Sequence, residues 1–178
     1  MRKQMLTLIN KEIKTAKNKK EAAIILKLNS LSDTVLIEKL YEAAKAGVNI
    51  KMIIRGICCM LTQNKKFKHP VLAISIVDEY LEHARVMVFK NGGRQKVFIS
   101  SADWMVRNID HRIEVTCPII EKNIRTELID ILNIQLNDNT KARILDNEQS
   151  NNYINPRNKV KIRSQVETYN YLYRKSGS

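Results

Sequence analysis

Apolar residues recur along this chain with two periods. Over residues 2–18, Met5, Leu8, Ile9 and Ile13 fall three or four apart with lysines between them, which predicts an amphipathic helix. Residues 22–28, "AAIILKL", form a short apolar run and predict a buried strand. Asp33 then stands as an N-cap before a helix over 34–46, with Val35, Ile37, Leu40, Tyr41 and Ala44 predicted inward and Gly47 closing it. "VNIKMIIR", residues 48–55, is the next predicted strand. Strand, helix and strand within about 30 residues make a βαβ unit, which implies a parallel pair with a right-handed crossover.

The pattern then loosens. Residues 61–70, "LTQNKKFKHP", read as a basic loop, and 71–77 as a third strand. The runs 84–89 and 95–100 flank "KNGGR", whose Asn91-Gly92 supplies positive φ, so they predict a β-hairpin. Residues 104–110 can form a short helix capped by a Ser or Asx turn, with Trp104 a core residue. "HRIEVTCPII", 111–120, predicts another strand, and 121–136 a helix with Ile124, Leu128, Ile129 and Leu132 on one face. Beyond residue 138 the chain turns polar and weakly periodic. It reads as an extended tail, 139–178, ending in a short helix near 163–174, behind a domain spanning 1–138. Together these elements place the chain in the α/β class.

Composition narrows the partners. Lysine and arginine total 31 against 18 acids, a net charge of +13. That surplus suits a polyanion: nucleic acid, phospholipid headgroups, a nucleotide or polyphosphate. A solvated basic surface is the plain alternative. Three cysteines, Cys58, Cys59 and Cys117, form no Cys-x-x-Cys pair, which argues against a zinc site and a disulfide framework and fits a reducing cytoplasm. No apolar run nears the ~18 residues of a membrane span, and "MRKQMLTLINKEIK" lacks the apolar centre of a signal peptide.

Parallel strands gather ligands at their C-terminal ends. There stand Lys27 and Asn29 on the first strand and Arg55 and Gly56 on the second. An arginine at a strand end can grip phosphate bidentately, and the following glycine lets a backbone N–H approach the same oxygen. An ordinary surface ion pair is the competing reading. His83 and Arg85, two apart at a strand's start, share a face and make a compact anion site, with an imidazole able to move a proton near neutral pH. In "ISSADWMVRN", Ser101 can cradle phosphate oxygens, Asp103 can orient His83, and Arg107 is a further cation. In the predicted strand from 111, alternation sends Asp110 and Arg112 one way and His111 the other, leaving Arg112 as another candidate anion contact. His69 and His111 read as surface or loop histidines.

The strings "LKLNSLSD", "AAKAGVNIKMIIRGICC", "LEHARV", "NGG", "VFISSADWMVRNIDHRIEV" and "NDNTKAR", in this order over roughly 1–145, resemble the C-terminal region of bacterial polyphosphate kinases. The resemblance implies a phospholipase-D-like mixed sheet flanked by helices. It implies reversible transfer of the terminal phosphate of ATP to inorganic polyphosphate, with ADP as the other nucleotide and magnesium present, through a phosphohistidine. The nucleophilic histidine and the magnesium-linked arginines belong to an upstream domain of such enzymes. None of the three histidines here matches that nucleophile, so the chain is expected to be one part of a larger enzyme and inactive alone. The same resemblance assigns Arg55 to ATP phosphates and His83 to the nucleotide site as the second important histidine. It implies a homo-oligomer assembled through other domains. With the cysteine usage, a cytoplasmic location is expected, with association at a membrane surface as the alternative, and no nucleic-acid partner.

Two stretches depart from the family pattern. The Pro- and Gly-containing loop after "RGICC" is replaced by "MLTQNKKFKHP". Where Gly-Arg-Phe often precedes the histidine, this chain has "DEY", 78–80, which puts the acids Asp78 and Glu79 where a cation is expected. Two rival readings remain from the residues alone. A phospholipase-D-like phosphodiesterase or nuclease would carry His-x-Lys motifs, whereas His83 is followed by Arg85. A non-catalytic polyanion-binding module would share the basic charge and the site residues.

Overall fold

A computed structural model of the chain describes residues 1–154 and 160–177. Its strands are β1 (Ala23–Leu28), β2 (Asn49–Ile54), β3 (Leu72–Ile76), β4 (Arg85–Phe89), β5 (Lys96–Ser100), β6 (Thr116–Pro118) and β7 (Ala142–Ile144). Its α-helices are α1 (Arg2–Lys17), α2 (Thr34–Ala46), α3 (Val106–His111), α4 (Lys122–Leu136) and α5 (Ser164–Ser176). The strands form one mixed sheet in the order β6-β5-β4-β1-β2-β3-β7.

The βαβ unit is as the pattern predicts, with β1 and β2 parallel and Ala23 opposite Asn49. Asp33 caps α2 by accepting from the Leu36 N–H at 3.0 Å, and Gly47 ends it at φ 103°, a left-handed conformation that suits glycine. β3 continues the parallel set beside β2, while β4 runs antiparallel to β1 and β5 antiparallel to β4. The β4–β5 turn uses positive φ at Asn91, Gly92 and Gly93.

Both faces of the sheet are covered. One core joins α1 and α2 to Ile24, Leu26, Met52, Ile54, Met87 and Phe89, with Trp104 buried among them. The other joins α4, through Leu132, to Ile53, Ile74, Ile76, Val86 and Val88. Successive strand residues feed opposite cores, as the two-residue period of a strand requires. Helix α5 lies against α4, where the Tyr171 hydroxyl donates to Asp130 and Lys175 pairs with Glu127.

Several expectations need correction. In α2 the buried stripe is Leu36, Ile37, Leu40, Ala43 and Ala44, and Val35 is 45% exposed, because Leu36 and not Val35 lies in phase with Leu40 and Ala43. In α4, Ile124 is half exposed while Leu128, Ile129 and Leu132 pack on the sheet. The strand predicted over 111–120 shrinks to β6. Residues 106–111 are helical, so Asp110, His111 and Arg112 do not alternate across a strand. Asp103 does not cap that helix, whose N-cap Met105 makes no side-chain cap bond. The stretch predicted as an extended tail contributes β7, which pairs antiparallel with β3, before ending in α5 as expected. Of that predicted tail, residues 155–159 and 178 lie outside the described residues.

Candidate functional site

Sheet direction brings distant segments to one edge. The C-terminal ends of β1, β2, β3 and β5 and the N-terminal end of β4 share it. Arg55 and Gly56 follow β2, Asn29 follows β1, Asp103 follows β5, and Arg85 opens β4 with His83 just before it.

These side chains form one hydrogen-bonded chain. Arg55 donates through Nε and Nη2 to Asn29 Oδ1, at 2.9 and 2.6 Å. The backbone N–H groups of Asn29 and Ser30 donate to Asp103 Oδ1, at 2.8 and 3.0 Å. Arg85 donates to both oxygens of Asp103, from Nε at 3.2 Å and from Nη2 at 3.0 Å. Arg85 Nη2 also lies 2.9 Å from Nε2 of His83. A guanidinium only donates, so Nε2 accepts and the imidazole proton sits on Nδ1. The sequence-based expectation that Asp103 orients His83 directly is therefore not met. Asp103 holds Arg85, and Arg85 holds His83.

Burial pushes the Asp103 carboxyl upward, but the Arg85 guanidinium and the N–H groups of Ser30 and Asn29 outweigh it, and its pKa lies below the usual carboxylate value. Arg85 is spent on Asp103 and His83, so it is a bridge rather than an open anion contact. Arg55 keeps its Nη1 edge free of any described partner, and His83 is exposed. Gly56 has a different use from the one expected. Its N–H donates to the Asn29 carbonyl at 2.8 Å, so it is not available to a phosphate oxygen. A Cβ at this position would lie 3.1 Å from that carbonyl oxygen, and so glycine lets the ends of β1 and β2 approach.

The other candidates stand apart. Lys27 points to the α4 face, where its buried Nζ pairs with Glu82 and donates to Gln135 Oε1 at 2.8 Å. Burial lowers its pKa against the opposing pull of Glu82. The Ser101 hydroxyl is engaged by Glu114 and by the Val115 N–H. The side chains of Arg107 and Arg112 are exposed and make no hydrogen bond or ion pair with a described residue, although the Arg112 charge adds to the Ser101 and Asn108 hydrogen bonds that lower the Glu114 carboxyl. Asp110 pairs with Arg2, which also pairs with Asp33, tying α3 and α2 to the start of α1.

Residues far along the chain hold the His83 segment. Arg163 donates to Asp78 Oδ2 and Oδ1 at 2.8 and 2.7 Å and to Glu79 at 3.1 Å. Gln165 receives the Tyr80 N–H at 3.0 Å and donates to the Tyr80 carbonyl and to Glu82. The acids in "DEY" are thus neutralised by the segment that opens α5. No local pattern in the sequence signals these contacts, which span 83–85 residues of chain.

Guanidinium, imidazole and amide groups suit an anion and not magnesium, which takes oxygen ligands. Among the described residues no group of three or more His, Cys, Asp or Glu side chains is placed to hold a metal. No described helix is long and apolar enough to cross a membrane.

Residues 1–165 match the family described as polyphosphate kinase C-terminal domain 2. The chain is 52% identical over 171 residues to a polyphosphate kinase of Vibrio cholerae, covering 96% of this chain and 24% of that protein. It is 42% identical to that of Escherichia coli, over 96% of this chain and 25% of the relative. It thus spans about a quarter of the length of the curated relatives it matches. A crystal structure of the Porphyromonas gingivalis polyphosphate kinase superposes with a TM-score of 0.95 at 43% identity, over 98% of this chain and 27% of that one. NucT from Helicobacter pylori shares the fold alone, with a TM-score of 0.50 and 13% identity over 73% of this chain and 87% of its own. A mixed sheet flanked by helices, a continuous match in sequence and close superposition agree: the chain belongs to the polyphosphate kinase C-terminal domain 2 family.

Proposed function

We propose that the strand-end edge carrying Arg55 and His83 holds the phosphates of ATP and polyphosphate within a larger polyphosphate kinase. Such an enzyme moves the terminal phosphate of ATP reversibly onto a polyphosphate chain. The observation that carries this reading is the unbroken chain Arg55–Asn29–Asp103–Arg85–His83, which joins two groups 28 residues apart in sequence at one edge. Phosphoryl transfer asks the protein mainly for position and positive charge around the moving phosphate. Arg55 offers a guanidinium edge held in place by Asn29. His83 offers an imidazole whose Nε2 is fixed by Arg85, leaving its Nδ1–H to donate to a phosphate oxygen. A phosphohistidine on another part of the enzyme would complete the transfer, with the magnesium ligands also outside this chain.

The test is Arg55→Ala and His83→Ala in the complete enzyme. Each is expected to lower the rate about 10²–10³-fold, the usual cost of removing one preorganised contact to developing charge, with the fold retained. The 178-residue chain alone is expected to bind ATP and make no polyphosphate. Near-normal turnover in either variant would refute the assigned roles. Synthesis by the isolated chain would refute the assignment of the nucleophile elsewhere.

A further inference from the structure

The end of the sheet opposite Arg55 and His83 has a character of its own. There the C-terminal ends of α1 and α2 meet the starts of β1 and β2. Between them lies a cleft of about 420 Å³ whose lining includes Lys19, Lys20, Lys68 and His69. The basic loop reaches it because the Lys68 N–H donates to the Ala44 carbonyl at the end of α2. The β4–β5 turn is anchored at the same end, with the Lys90 N–H donating to the Ala23 carbonyl, and adds Arg94 and Lys96 nearby.

None of these six side chains forms an ion pair with a described residue, and all are exposed. The one acid lining the cleft, Glu21, is already paired with Lys90 at 2.8 Å. Helix dipoles account for lysines inside the last turns, such as Lys17 of α1 and Lys45 of α2. They also favour Lys19 and Lys20 in the turn that closes α1 and Lys68 at the end of α2, but they do not account for His69 or for the hairpin pair. The buried Glu12 at this end accepts from the Ala23 and Asn91 N–H groups and, like Glu21, faces Lys90, so the six cations still outnumber the acids beside them. Like charges in excess repel one another, and a polyanion relieves that repulsion while releasing its own counterions.

We propose that this basic cleft is a second anion-binding site, which holds inorganic polyphosphate away from the reacting end. The proposal rests on the reading above that the chain handles polyphosphate. At ~3.3 Å per residue, the six residues of β1 put the two ends of the sheet roughly 20 Å apart. A long linear polyanion can therefore engage both ends at once, whereas a short one engages a single end. The cleft thus favours long chains through effective concentration rather than through any new contact at the reacting phosphate.

The experiment measures binding of long-chain polyphosphate and of tripolyphosphate to the chain over a range of salt. Lys20→Glu with Lys68→Glu is expected to weaken long-chain binding at least tenfold and to reduce the slope of log K against log salt by about 1–2. Tripolyphosphate binding weakened by Arg55→Ala should be untouched by that pair. Lys3→Glu with Lys161→Glu changes net charge equally at other places and should leave long-chain affinity near normal. Lys20→Gln with Lys68→Gln repeats the test with a milder change. Unaltered long-chain affinity in both cleft variants overturns the proposal, as does an equal loss in the control pair. Single-stranded DNA bound as tightly, and lost in the same variants, overturns it in favour of a nucleic-acid surface. If Arg55→Ala leaves tripolyphosphate binding unchanged, the strand-end reading fails while the cleft result stands.

Discussion

Replacing Asp103 by alanine removes the junction on which three segments converge. Its carboxylate takes the N–H groups of Asn29 and Ser30 and pairs with Arg85, and the two side chains are only 6% and 13% exposed. Breaking a buried ion pair from one side costs about 3–5 kcal/mol, because the remaining charge stays buried without its partner. Orphaned N–H groups add to this only where water cannot reach them. A domain of this size loses about 2–4 °C in Tm per kcal/mol, so a fall of roughly 6–20 °C is expected. Trp104 is the single tryptophan, follows Asp103 directly and is buried, so urea unfolding read by its fluorescence reports on the site itself.

The pH dependence follows from the depressed carboxyl. A carboxylate whose pKa is lower folded than unfolded adds stability that is complete above the ordinary aspartate value of about 3.9. That stability is lost as pH falls from there through the folded value. The unmodified chain should lose part of its stability over that acid limb, and Asp103→Ala should show a shallower loss. Arg85→Gln combined with Asp103→Asn should cost less than the sum of the two single changes. A destabilisation of Asp103→Ala below about 1 kcal/mol, within the range of an exposed ion pair, would refute the view that this carboxylate organises the site.

Two further outcomes follow from close contacts. Gly56→Ala should force β1 and β2 apart at Arg55, costing about 1–3 kcal/mol of stability as overpacking does, and should weaken ATP binding in a titration; a variant as stable and as tight-binding as the parent would contradict the 3.1 Å approach. Lys27→Met should destabilise the chain near the lower end of the 3–5 kcal/mol span for a broken buried pair, since Glu82 is 22% exposed; adding Glu82→Leu should recover part of that loss in urea unfolding, and a double variant worse than the single would contradict the pairing.

Local pattern alone determined much of this protein. The βαβ unit, the Asp33 cap, the Gly47 stop and the Asn91-Gly92 turn were legible because each rests on interactions within a few residues, which the order of side chains specifies directly. Arg55 and His83 stood out because charged groups beside buried strands need a partner, and strand direction then brought them to one edge. What only tertiary structure decided was the partner of each charge. Asp103 met Arg85 rather than His83, Lys27 turned to Glu82 and Gln135, and Arg163 closed on Asp78 across 85 residues of chain. The extent of β6 and the place of β7 were hidden for the same reason. A strand of three residues draws its stability from the neighbour it pairs with, and that neighbour, like a buried carboxylate's counter-charge, is chosen by how the sheet and helices pack rather than by adjacent sequence.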